Sequence, residues 1–392
     1  MKKLFLFTAN FPYGKIESFL EDEIHYLAAE FDSVEIIPLR YNGSIKRPFP
    51  NNCVVWEPII KSRQQQYIKG LFCLKTIPLF CKDFFRYKVF LSPTRFKTWL
   101  IGLTLANCLM KSKRIKALFS KIDKDDVCYF YWGKGANMLS CFYKGKAHFV
   151  SRFHGEWDLW EESSGGFAPL RKQIADSLDA AVFISEKGEK YFRERYPGCK
   201  ICFFPLGSSD MGYTPNKKGK VLNVVSCSTV YPLKRVPLIF DAVKKINDIP
   251  VQWTHIGGGV DFDALKNSVN SSCSSNLQVT LVGEMSHDDV MKYYAEHQFD
   301  VFVNVSENEG VPVSIMEAIS FDIPVVATNV GGNSEIVTIE SGMLVSANPT
   351  ADEVSDAIVR LVSKDCHPRG FWENHYSAKV NYSSFAKFLK SL

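Results

Sequence analysis

The 392-residue sequence lacks the features that would place it across a membrane or outside the cell. No stretch approaches 18 uncharged apolar residues; the longest candidate, residues 96–110, contains Lys97 and is too short to span a bilayer. The N-terminal segment MKKLFLFTANFPYG begins with lysines, but its short apolar run has no small-residue cleavage site after it. We therefore interpret that run as a first β-strand rather than as a signal peptide.

Closely spaced cysteines are also scarce. Of 11 cysteines, only Cys199 and Cys202 form a C-x-x-C pair, and no second such pair exists to complete a metal site. A redox or metal half-site is one interpretation of this pair. The start of a strand is the favoured one, because the pair leads into the apolar run Ile201–Phe204. Scattered, reduced thiols are typical of the cytoplasm, which is the expected location.

The composition is that of an ordinary globular protein. Hydrophobic residues make up 46% and charged residues 23% of the chain, which excludes a disordered or collagen-like polypeptide. A chain of 392 residues is too long for one ordinary domain and suits two, each with its own core. From residue 126 onward, apolar strands alternate with helical segments, which predicts parallel, doubly wound sheets.

One stretch, Val301–Val337, carries the clearest pattern. Two short apolar runs, Val301–Val305 and Ile323–Thr328, are typical of buried parallel strands. Between them, Pro312 stands where a proline opens a helix, and the helical pattern continues to about Ser320. The stretch is therefore predicted to be a β-strand, a helix and a second β-strand.

Two carboxylates occupy distinct places in this unit. Glu309 follows the first strand, next to the helix N-terminus, and Glu317 borders the buried face of the helix. Ligands of open α/β sheets bind at this edge, where backbone N–H groups of Gly310, Val311 and Val313 suit an anion. The carboxylates would accept hydrogen bonds from hydroxyl groups. A sugar phosphate has both features.

The stretch resembles the signature of the family 4 (group 1) retaining glycosyltransferases, a pattern like S-x-x-E-G-x-P-x-x-x-x-E-A. The matching positions are Ser306, Glu309, Gly310, Pro312, Glu317, Ala318 and, further on, Pro324–Thr328, Gly331, Gly332 and Glu335. Asp322 stands where the family commonly has glycine. An ordinary β-α-β unit with an acid at the helix cap is the alternative interpretation.

The resemblance implies an α/β chain of the GT-B fold, with two Rossmann-like, doubly wound domains facing across a cleft. The implied domains are 1–207 on the acceptor side and 220–370 for the nucleotide sugar. Residues 371–392 are expected to form a helix that crosses back to the first domain. The segment 207–219, rich in Gly, Ser, Pro and Asn, is predicted to be a linker.

The resemblance also implies how the diphosphate of the donor is bound. The family's G-R-L-x-x-x-K-G run finds its lysine in Lys234, but Ser228 and Thr229 stand at the Gly-Arg positions and Arg235 replaces the second glycine. Arg235 is expected to supply the missing charge, because arginine binds phosphate through two parallel hydrogen bonds. A solvated Lys-Arg pair is the alternative.

Glycines are implied to contact the donor through their backbone. Gly257 and Gly258 resemble the family's G-x-G loop, and Gly283 stands where family members hold the base. Asp261 and Asp263 form a D-x-D pair, which we interpret as a helix cap rather than as a metal site. No metal and no cofactor besides the nucleoside diphosphate sugar is expected.

The first domain contributes three candidate residues. His154 follows a strand in SRFHGEWDLW, and the resemblance implies that it contacts the donor sugar and the leaving phosphate. Gly14 and Glu17 correspond to a loop that helps to place the acceptor. The alternatives are a structural histidine and, for Glu17, an acid at the start of the first helix.

The implied reaction transfers a sugar from a nucleoside diphosphate sugar to a hydroxyl of a glycan or a lipid-linked glycan, as in polysaccharide biosynthesis. It retains the anomeric configuration and requires no metal. Glu309 and His154 are the implied catalytic residues, and Glu317 would bind the ribose. Two alternatives stay open: a nucleotide-sugar epimerase or phosphorylase of the same fold, and a nucleotide-sugar-binding protein without activity.

Residues 61–121 differ from the rest. They contain fourteen Lys or Arg residues and one acid, Asp83, together with ten aromatic residues. We expect this helical insertion to dock on an anionic membrane surface, which would place the protein peripherally on the cytoplasmic face. The alternative is that the aromatic residues pack inward and the lysines face water. No base-reading motif accompanies the charge, so no nucleic acid is expected.

Overall fold

The structure, a computed structural model, describes residues 2–14, 17, 19–41, 43, 47–212, 219–272, 275–364 and 366–392. It divides into two units. The first consists of Met1–Pro205 and Tyr382–Leu392, and the second of Leu206–Asn381. The predicted linker falls at the start of the second unit, and its residues 213–218 lie outside the described residues.

The first unit contains a parallel sheet of seven strands among the described residues. The strands are β1 (Lys3–Thr8), β2 (Ser33–Pro38), β3 (Cys53–Val55), β4 (Val127–Phe130), β5 (His148–Phe153), β6 (Ala180–Phe183) and β7 (Ile201–Phe203). Their order is β3-β2-β1-β4-β5-β6-β7. The C-x-x-C pair stands at the start of β7, and the thiols of Cys199 and Cys202 are free.

Helices precede, follow or connect these strands. They are α1 (Leu20–Glu30), α2 (Arg63–Lys69), α3 (Ile77–Arg86), α4 (Pro93–Lys111), α5 (Lys113–Lys121), α6 (Leu139–Phe142), α7 (Glu156–Leu159), α8 (Arg171–Ala175) and α9 (Glu186–Arg195). The first helix starts later than predicted, so Glu17 lies before it. Both faces of the sheet are buried: in β1, Leu4 and Leu6 join one apolar core, and Phe5 and Phe7 join the core on the other face.

The described part of the second unit repeats this architecture with six parallel strands. The strands are β8 (Leu222–Cys227), β9 (Val251–Ile256), β10 (Leu277–Gly283), β11 (Val301–Asn304), β12 (Val325–Thr328) and β13 (Gly342–Val345). The helices are α10 (Val236–Val243), α11 (Phe262–Ser272), α12 (His287–Glu296), α13 (Val313–Ser320), α14 (Asn333–Ile336), α15 (Ala351–Val362), α16 (Pro368–His375) and the first residues of α17 (Ala378–Ser391). The predicted pair of doubly wound, Rossmann-like sheets is confirmed.

The C-terminal segment differs from the expected single helix. The structure has two helices there, α16 and α17, and only the part of α17 from Tyr382 onward belongs to the first unit. The earlier part is held in the second unit, where the indole N–H of Trp372 donates to the Ser208 hydroxyl at 2.8 Å. Asn381 donates to the Leu206 carbonyl at 2.8 Å and so closes the second unit.

Each sheet has one place where the strand order reverses. In the order β10-β9-β8-β11-β12-β13 the reversal lies between β8 and β11, and in the first unit it lies between β1 and β4. The connections on either side leave in opposite directions, which opens a crevice at the carboxyl ends of those strands. In the second unit, Lys234 follows β8 and Glu309 follows β11, so both stand at the reversal.

A buried ion pair lies in the first unit. Glu23 of α1 and Arg152 of β5 are fully buried and 2.5 Å apart, and the Tyr129 hydroxyl donates to the same carboxylate at 3.1 Å. The guanidinium also lies over the ring of Phe385 in α17, 4.1 Å from its centroid. One charged group therefore joins β5 to helices from both ends of the chain.

We expect Glu23→Gln to destabilise the protein by roughly 3–5 kcal/mol, because it leaves the Arg152 charge buried without a counter-charge. The double variant Glu23→Leu/Arg152→Met should be clearly more stable than the single variant. Denaturant unfolding measures both. The control is Glu162→Gln, which breaks an exposed contact of 3.0 Å to Arg195 and should cost about 1 kcal/mol or less. A cost for Glu23→Gln as small as that of the control would contradict the expectation.

Candidate active site

An ion pair between two loops forms the centre of the candidate site. The Lys234 ammonium lies 2.6 Å from Glu309 Oε1, with 19% of the lysine side chain and 6% of the glutamate side chain exposed. Because the pair is shielded from water on most sides, its attraction is stronger than that of a surface pair. A cation and a carboxylate are therefore held together at the sheet's strand-order reversal, partly accessible to a ligand.

The loop that carries Glu309 is fixed by polar contacts at its start. The side-chain amide of Asn304 donates to Glu309 Oε1 at 3.2 Å, and its oxygen accepts from the backbone N–H of Ser306 at 3.1 Å. The Thr328 hydroxyl, at the end of β12, donates to the Ser306 carbonyl at 2.7 Å. The neighbouring strand thus holds the glutamate loop in place.

The two glycines after β12 allow a second loop to pack against the first. The amide of Gly332 donates to the Gly310 carbonyl at 2.7 Å. Gly331 has a φ of +52°, and a Cβ added there would lie 1.7 Å from the Glu309 carbonyl oxygen. The loop-to-loop contact therefore requires glycine at position 331. This gives the Gly-Gly of the sequence pattern a structural function.

Helix α13 begins at Val313, directly after Pro312, with no side chain capping its N-terminus. Gly310 and Val311 lead into it, and Val311 is buried. Uncapped N–H groups and the partial positive charge of a helix N-terminus favour an anion. The three predicted backbone donors thus stand at the start of the helix that follows Glu309.

Glu317 lies in the buried part of α13 and has a partner that the sequence did not reveal. Its Oε1 lies 2.9 Å from Nε2 of His287, the first residue of α12, and 8% of its side chain is exposed. It also lies close enough to Cys227 and Tyr294 to raise their pKa values, although burial is the larger cause for both groups. His287 at the start of α12 therefore helps to orient the carboxylate of the second glutamate.

Arg235 contacts the loop that leads to Glu309. Its guanidinium donates to the carbonyls of Val305 at 2.6 Å, Ser306 at 2.9 Å and Ala347 at 2.9 Å, and to the Asn348 side chain at 3.2 Å. These contacts occupy the donors that a diphosphate would need. The contacts hold the start of the glutamate loop, and the role of Arg235 as a second phosphate cation stays a prediction.

The glycine turn after β9 packs against a neighbouring loop. Gly257 has a φ of +138°, and a Cβ there would lie 1.9 Å from the carbonyl oxygen of Ser228. Its amide donates to the Gly283 carbonyl at 2.8 Å, which joins the ends of β9 and β10. Gly258 is different, because a Cβ there would meet only the Glu284 side chain and backbone at 3.4 Å or more. The turn shapes the edge of the sheet.

The first unit holds the other three predicted residues. Glu17, only 2% exposed, accepts backbone N–H bonds from Ala9, Asn10 and Phe11 at 2.7–2.8 Å and a bond from the Trp132 indole at 2.6 Å. Its carboxylate thus organises the loop after β1. Glu17 lies before α1, so it is not the helix-start acid of the alternative interpretation, and the role of its loop in placing the acceptor stays a prediction. Gly14 lies in the same loop with a φ of +73°.

His154 ends β5 and is 9% exposed. Its ring packs against Trp132, with 4.5 Å between the centroids, and its Nδ1 lies 3.5 Å from Asp158. Within the described part of the chain, neither ring nitrogen makes a hydrogen bond. Asp158 accepts backbone N–H bonds from Gly133, His154 and Gly155 at 3.0–3.2 Å and so joins the loops after β4 and β5.

Several polar residues of this region were missed by sequence reasoning. Asn304, His287 and Asp158 act through contacts to residues that are neighbours only in the fold. The available signal was position: Asn304 ends a strand, and His287 follows a helix cap at Ser286. The predicted D-x-D acid Asp261 accepts the backbone N–H of Leu265 through its carbonyl at 3.0 Å, at the start of α11.

Comparison with known proteins gives these observations a family context. The family model of glycosyl transferases group 1 matches residues 214–377. A GDP-mannose-dependent alpha-(1-6)-phosphatidylinositol monomannoside mannosyltransferase from Mycobacterium tuberculosis is 23% identical over 56% of this chain and 61% of the relative. The O-antigen biosynthesis glycosyltransferase WbnH from Escherichia coli is 32% identical over 46% of this chain and 50% of the relative.

Among solved structures, the lipopolysaccharide outer core galactosyltransferase WaaB matches with a TM-score of 0.66 at 16% identity, over 100% of both chains. The sequence matches to the curated relatives cover only about half of their lengths, whereas this structural match covers both sheets. The chain therefore has the GT-B fold, and its residues 214–377 match the family model of group 1 glycosyl transferases.

Proposed function

We propose that this protein is a glycosyltransferase that moves a sugar from a nucleoside diphosphate sugar to a hydroxyl of a glycan or lipid-linked glycan. The Lys234–Glu309 pair at the strand-order reversal carries the proposal, because it combines a phosphate cation with a hydroxyl acceptor in one crevice. The matched relatives, a mannosyltransferase and an O-antigen enzyme, favour the biosynthesis of a surface polysaccharide.

In this proposal the bound nucleotide sugar replaces Glu309 as the partner of Lys234. The diphosphate takes the Lys234 ammonium, and the dipole of α13 adds to the stabilisation of the negative charge on the departing nucleoside diphosphate. Glu309, which keeps its bond from Asn304, then accepts hydrogen bonds from the hydroxyls of the donor sugar. Glu317, held by His287, accepts from the ribose hydroxyls.

We assign the reaction to the retaining, metal-independent type of family 4. Glu309 is engaged by Lys234 and Asn304, which suits binding of the donor hydroxyls better than attack as a free nucleophile. The leaving phosphate oxygen would therefore accept the proton of the acceptor hydroxyl on the same face of the sugar. His154, packed against Trp132, would contact the donor sugar and that phosphate.

Incubation with a panel of nucleotide sugars, with and without glycan acceptors and with and without EDTA, tests the assignment. Acceptor-dependent release of nucleoside diphosphate that EDTA does not affect supports it, and NMR of the product reports the anomeric configuration. Epimer formation without acceptor would indicate an epimerase. Tight binding without turnover would indicate a binding protein, and either result would overturn the proposal.

We expect Glu309→Gln and Glu317→Ala each to lower turnover at least about a hundredfold, the loss seen when one positioned polar contact to a transition state is removed. Steady-state kinetics with the preferred donor measures this. Glu340→Gln, at a position in the second unit outside the candidate site, serves as the control and should keep full activity. A fully active Glu309→Gln enzyme would show that the site is assigned to the wrong residues.

Lys234→Ala and Arg235→Ala should affect different properties of the protein, nucleotide binding and thermal stability. The first removes the phosphate cation, so nucleoside diphosphate binding should weaken at least about tenfold, the loss expected for one charge-assisted contact. The second removes bonds to three backbone carbonyls and should lower the melting temperature as well. Calorimetric titration and thermal unfolding separate the two effects. Weakened binding with unchanged melting in Arg235→Ala would instead make it a direct phosphate ligand.

We also propose that the first unit binds peripherally to an anionic membrane on its cytoplasmic face. Two groups of exposed apolar side chains in the insertion support this, Ile68, Leu71, Phe72 and Leu74 around the α2–α3 connection, and Phe85, Phe90, Leu91 and Phe96 around the α3–α4 connection. Exposed lysines and arginines accompany both groups. Apolar anchors together with basic residues are typical of interfacial binding.

Two further observations bear on this part of the proposal. Phe80 and Phe119 are buried, so part of the aromatic content packs inward as the alternative interpretation required. Within the described residues, no helix is both long and apolar enough to cross a bilayer. Interfacial docking through the exposed side chains is the mode of binding that we therefore propose.

Vesicles containing anionic lipid should cosediment with the protein at low salt. Two variants should each weaken binding at least about tenfold. The first, Leu71→Ser/Phe72→Ser/Leu74→Ser, removes apolar anchors. The second, Lys69→Glu/Lys75→Glu/Arg86→Glu/Lys88→Glu, removes an attraction of about 1 kcal/mol per basic residue. Val260→Ser/Ile339→Ser, which changes exposed apolar residues of the second unit, is the control. Binding that is absent at low salt, or equal in all variants, would refute the docking proposal.

A further inference from the structure

The first unit has a cavity at its own strand-order reversal. Its volume is about 220 Å³, and it is lined by residues at or just after the ends of β1, β2 and β4, among them Thr8, Arg40, Trp132 and Lys134. The reversal of a doubly wound sheet is where such folds bind ligands. None of the functions assigned above uses this cavity.

The two cations of the lining have different settings. Arg40 is half-buried, and its guanidinium donates to the side-chain oxygen of Gln66 at 2.5 Å. Within the described residues, no carboxylate forms an ion pair with it. Burial lowers the pKa of Arg40, and the neighbouring Arg63 charge lowers it further. The neutral amide of Gln66 therefore orients a cation whose charge no acid balances.

Lys134 enters from the loop after β4, and its ammonium lies 3.4 Å from the Ser164 hydroxyl. Burial lowers its pKa, as does the Arg171 charge, while Asp158 acts in the opposite direction. That carboxylate already accepts three backbone N–H bonds. The cavity thus has two partly desolvated cations and little negative charge, which is a favourable setting for an anion.

The other lining residues and the volume of the cavity limit the size and polarity of the anion that it can bind. Apart from the cations and Thr8, the side chains are apolar, and the indole of Trp132 lies among them. The volume is below the roughly 300 Å³ at which pockets begin to enclose whole drug-sized ligands. The cavity therefore suits a compact oxyanion with a short part of its substituent, which is the size of a phosphate or diphosphate group rather than of a glycan.

We propose that this cavity binds the phosphate or diphosphate group of the acceptor, with Arg40 and Lys134 as its two cationic contacts. The inference rests on the proposed function, because it names the class of acceptor: a phosphate-linked lipid saccharide. Helix α2 connects the cavity to the proposed docking surface, since it carries both Gln66, which orients Arg40, and the exposed Ile68.

The probe is inorganic pyrophosphate, titrated calorimetrically into the full-length protein at low salt. The Lys234→Ala background weakens its binding at the donor site, so a further loss caused by cavity substitutions in that background reports the cavity. We expect Arg40→Gln/Lys134→Gln in that background to weaken the remaining binding at least about tenfold, because two charge-assisted contacts are lost. Lys69→Gln/Lys111→Gln, with the same change of charge at exposed sites of α2 and α4, is the matched control and should bind as the background does.

Competition identifies the source of the phosphate. Octyl phosphate should displace pyrophosphate from the cavity, whereas octyl glucoside, which has the same tail without the charge, should not. Failure of octyl phosphate to compete would mean that the cavity takes free phosphate only and would overturn the acceptor assignment. Binding in the Lys234→Ala background that is absent, or that Arg40→Gln/Lys134→Gln does not change, would overturn the site itself.

The test of phosphate binding does not depend on whether the protein transfers a sugar. Phosphate binding by the cavity is measured without sugar transfer, so it is observable even if no donor is ever turned over. Where transfer is detected, Arg40→Gln/Lys134→Gln should raise the KM for a phosphate-linked acceptor at least about tenfold and leave the KM for the donor unchanged. An unchanged acceptor KM, or an equal rise for both substrates, would contradict the proposal. Thermal unfolding and an Arg40→Lys variant, expected to retain binding, exclude misfolding as the cause.

Discussion

The ion pair between Lys234 and Glu309 is the contact on which the candidate site depends. It joins the loops after two adjacent strands whose connections leave in opposite directions, and so it stands where a ligand can reach the sheet edge. The surrounding structure serves to hold these loops. Arg235 fixes the start of the glutamate loop from one side, and the contact of Gly331 with Glu309 fixes it from the other.

Acids of the first unit illustrate how a buried charge is tolerated in this fold. The Glu17 carboxylate accepts hydrogen bonds from four N–H groups. The Glu23 carboxylate forms an ion pair with a buried arginine. Neither carboxylate is available to a ligand, because both have their oxygens engaged. At the reversal of this sheet, the cavity is lined by two cations, Arg40 and Lys134. The two units thus offer different chemistry at equivalent places of similar folds.

The helical insertion connects the surface of the first unit with its sheet edge. Gly70, after α2, packs so closely on α4 that an added Cβ would lie 2.5 Å from the Thr104 carbonyl oxygen. Asn107 donates to the Gly70 carbonyl at 2.7 Å, so the pair of helices is bound by polar contacts as well. Apolar side chains on the outside are therefore carried by a well-anchored scaffold. Their exposure results from the packing of the helices and not from a lack of structure around them.

The sequence by itself determined the class of fold and the places of Glu309 and Glu317 in a β-α-β unit. Apolar strand runs, a helix-opening proline and an acid after a strand are local signals. The spacing and order of these signals do not depend on the tertiary context. The β-α-β unit around Glu309 and the alternation of strands and helices in both halves of the chain were therefore predictable. Only the tertiary structure decided what Arg235 and His287 contact, because their partners lie far away in the sequence, and that the Glu17 side chain turns back onto its own loop. It also decided which aromatic side chains of residues 61–121 are exposed, since helix packing, not composition, sets burial.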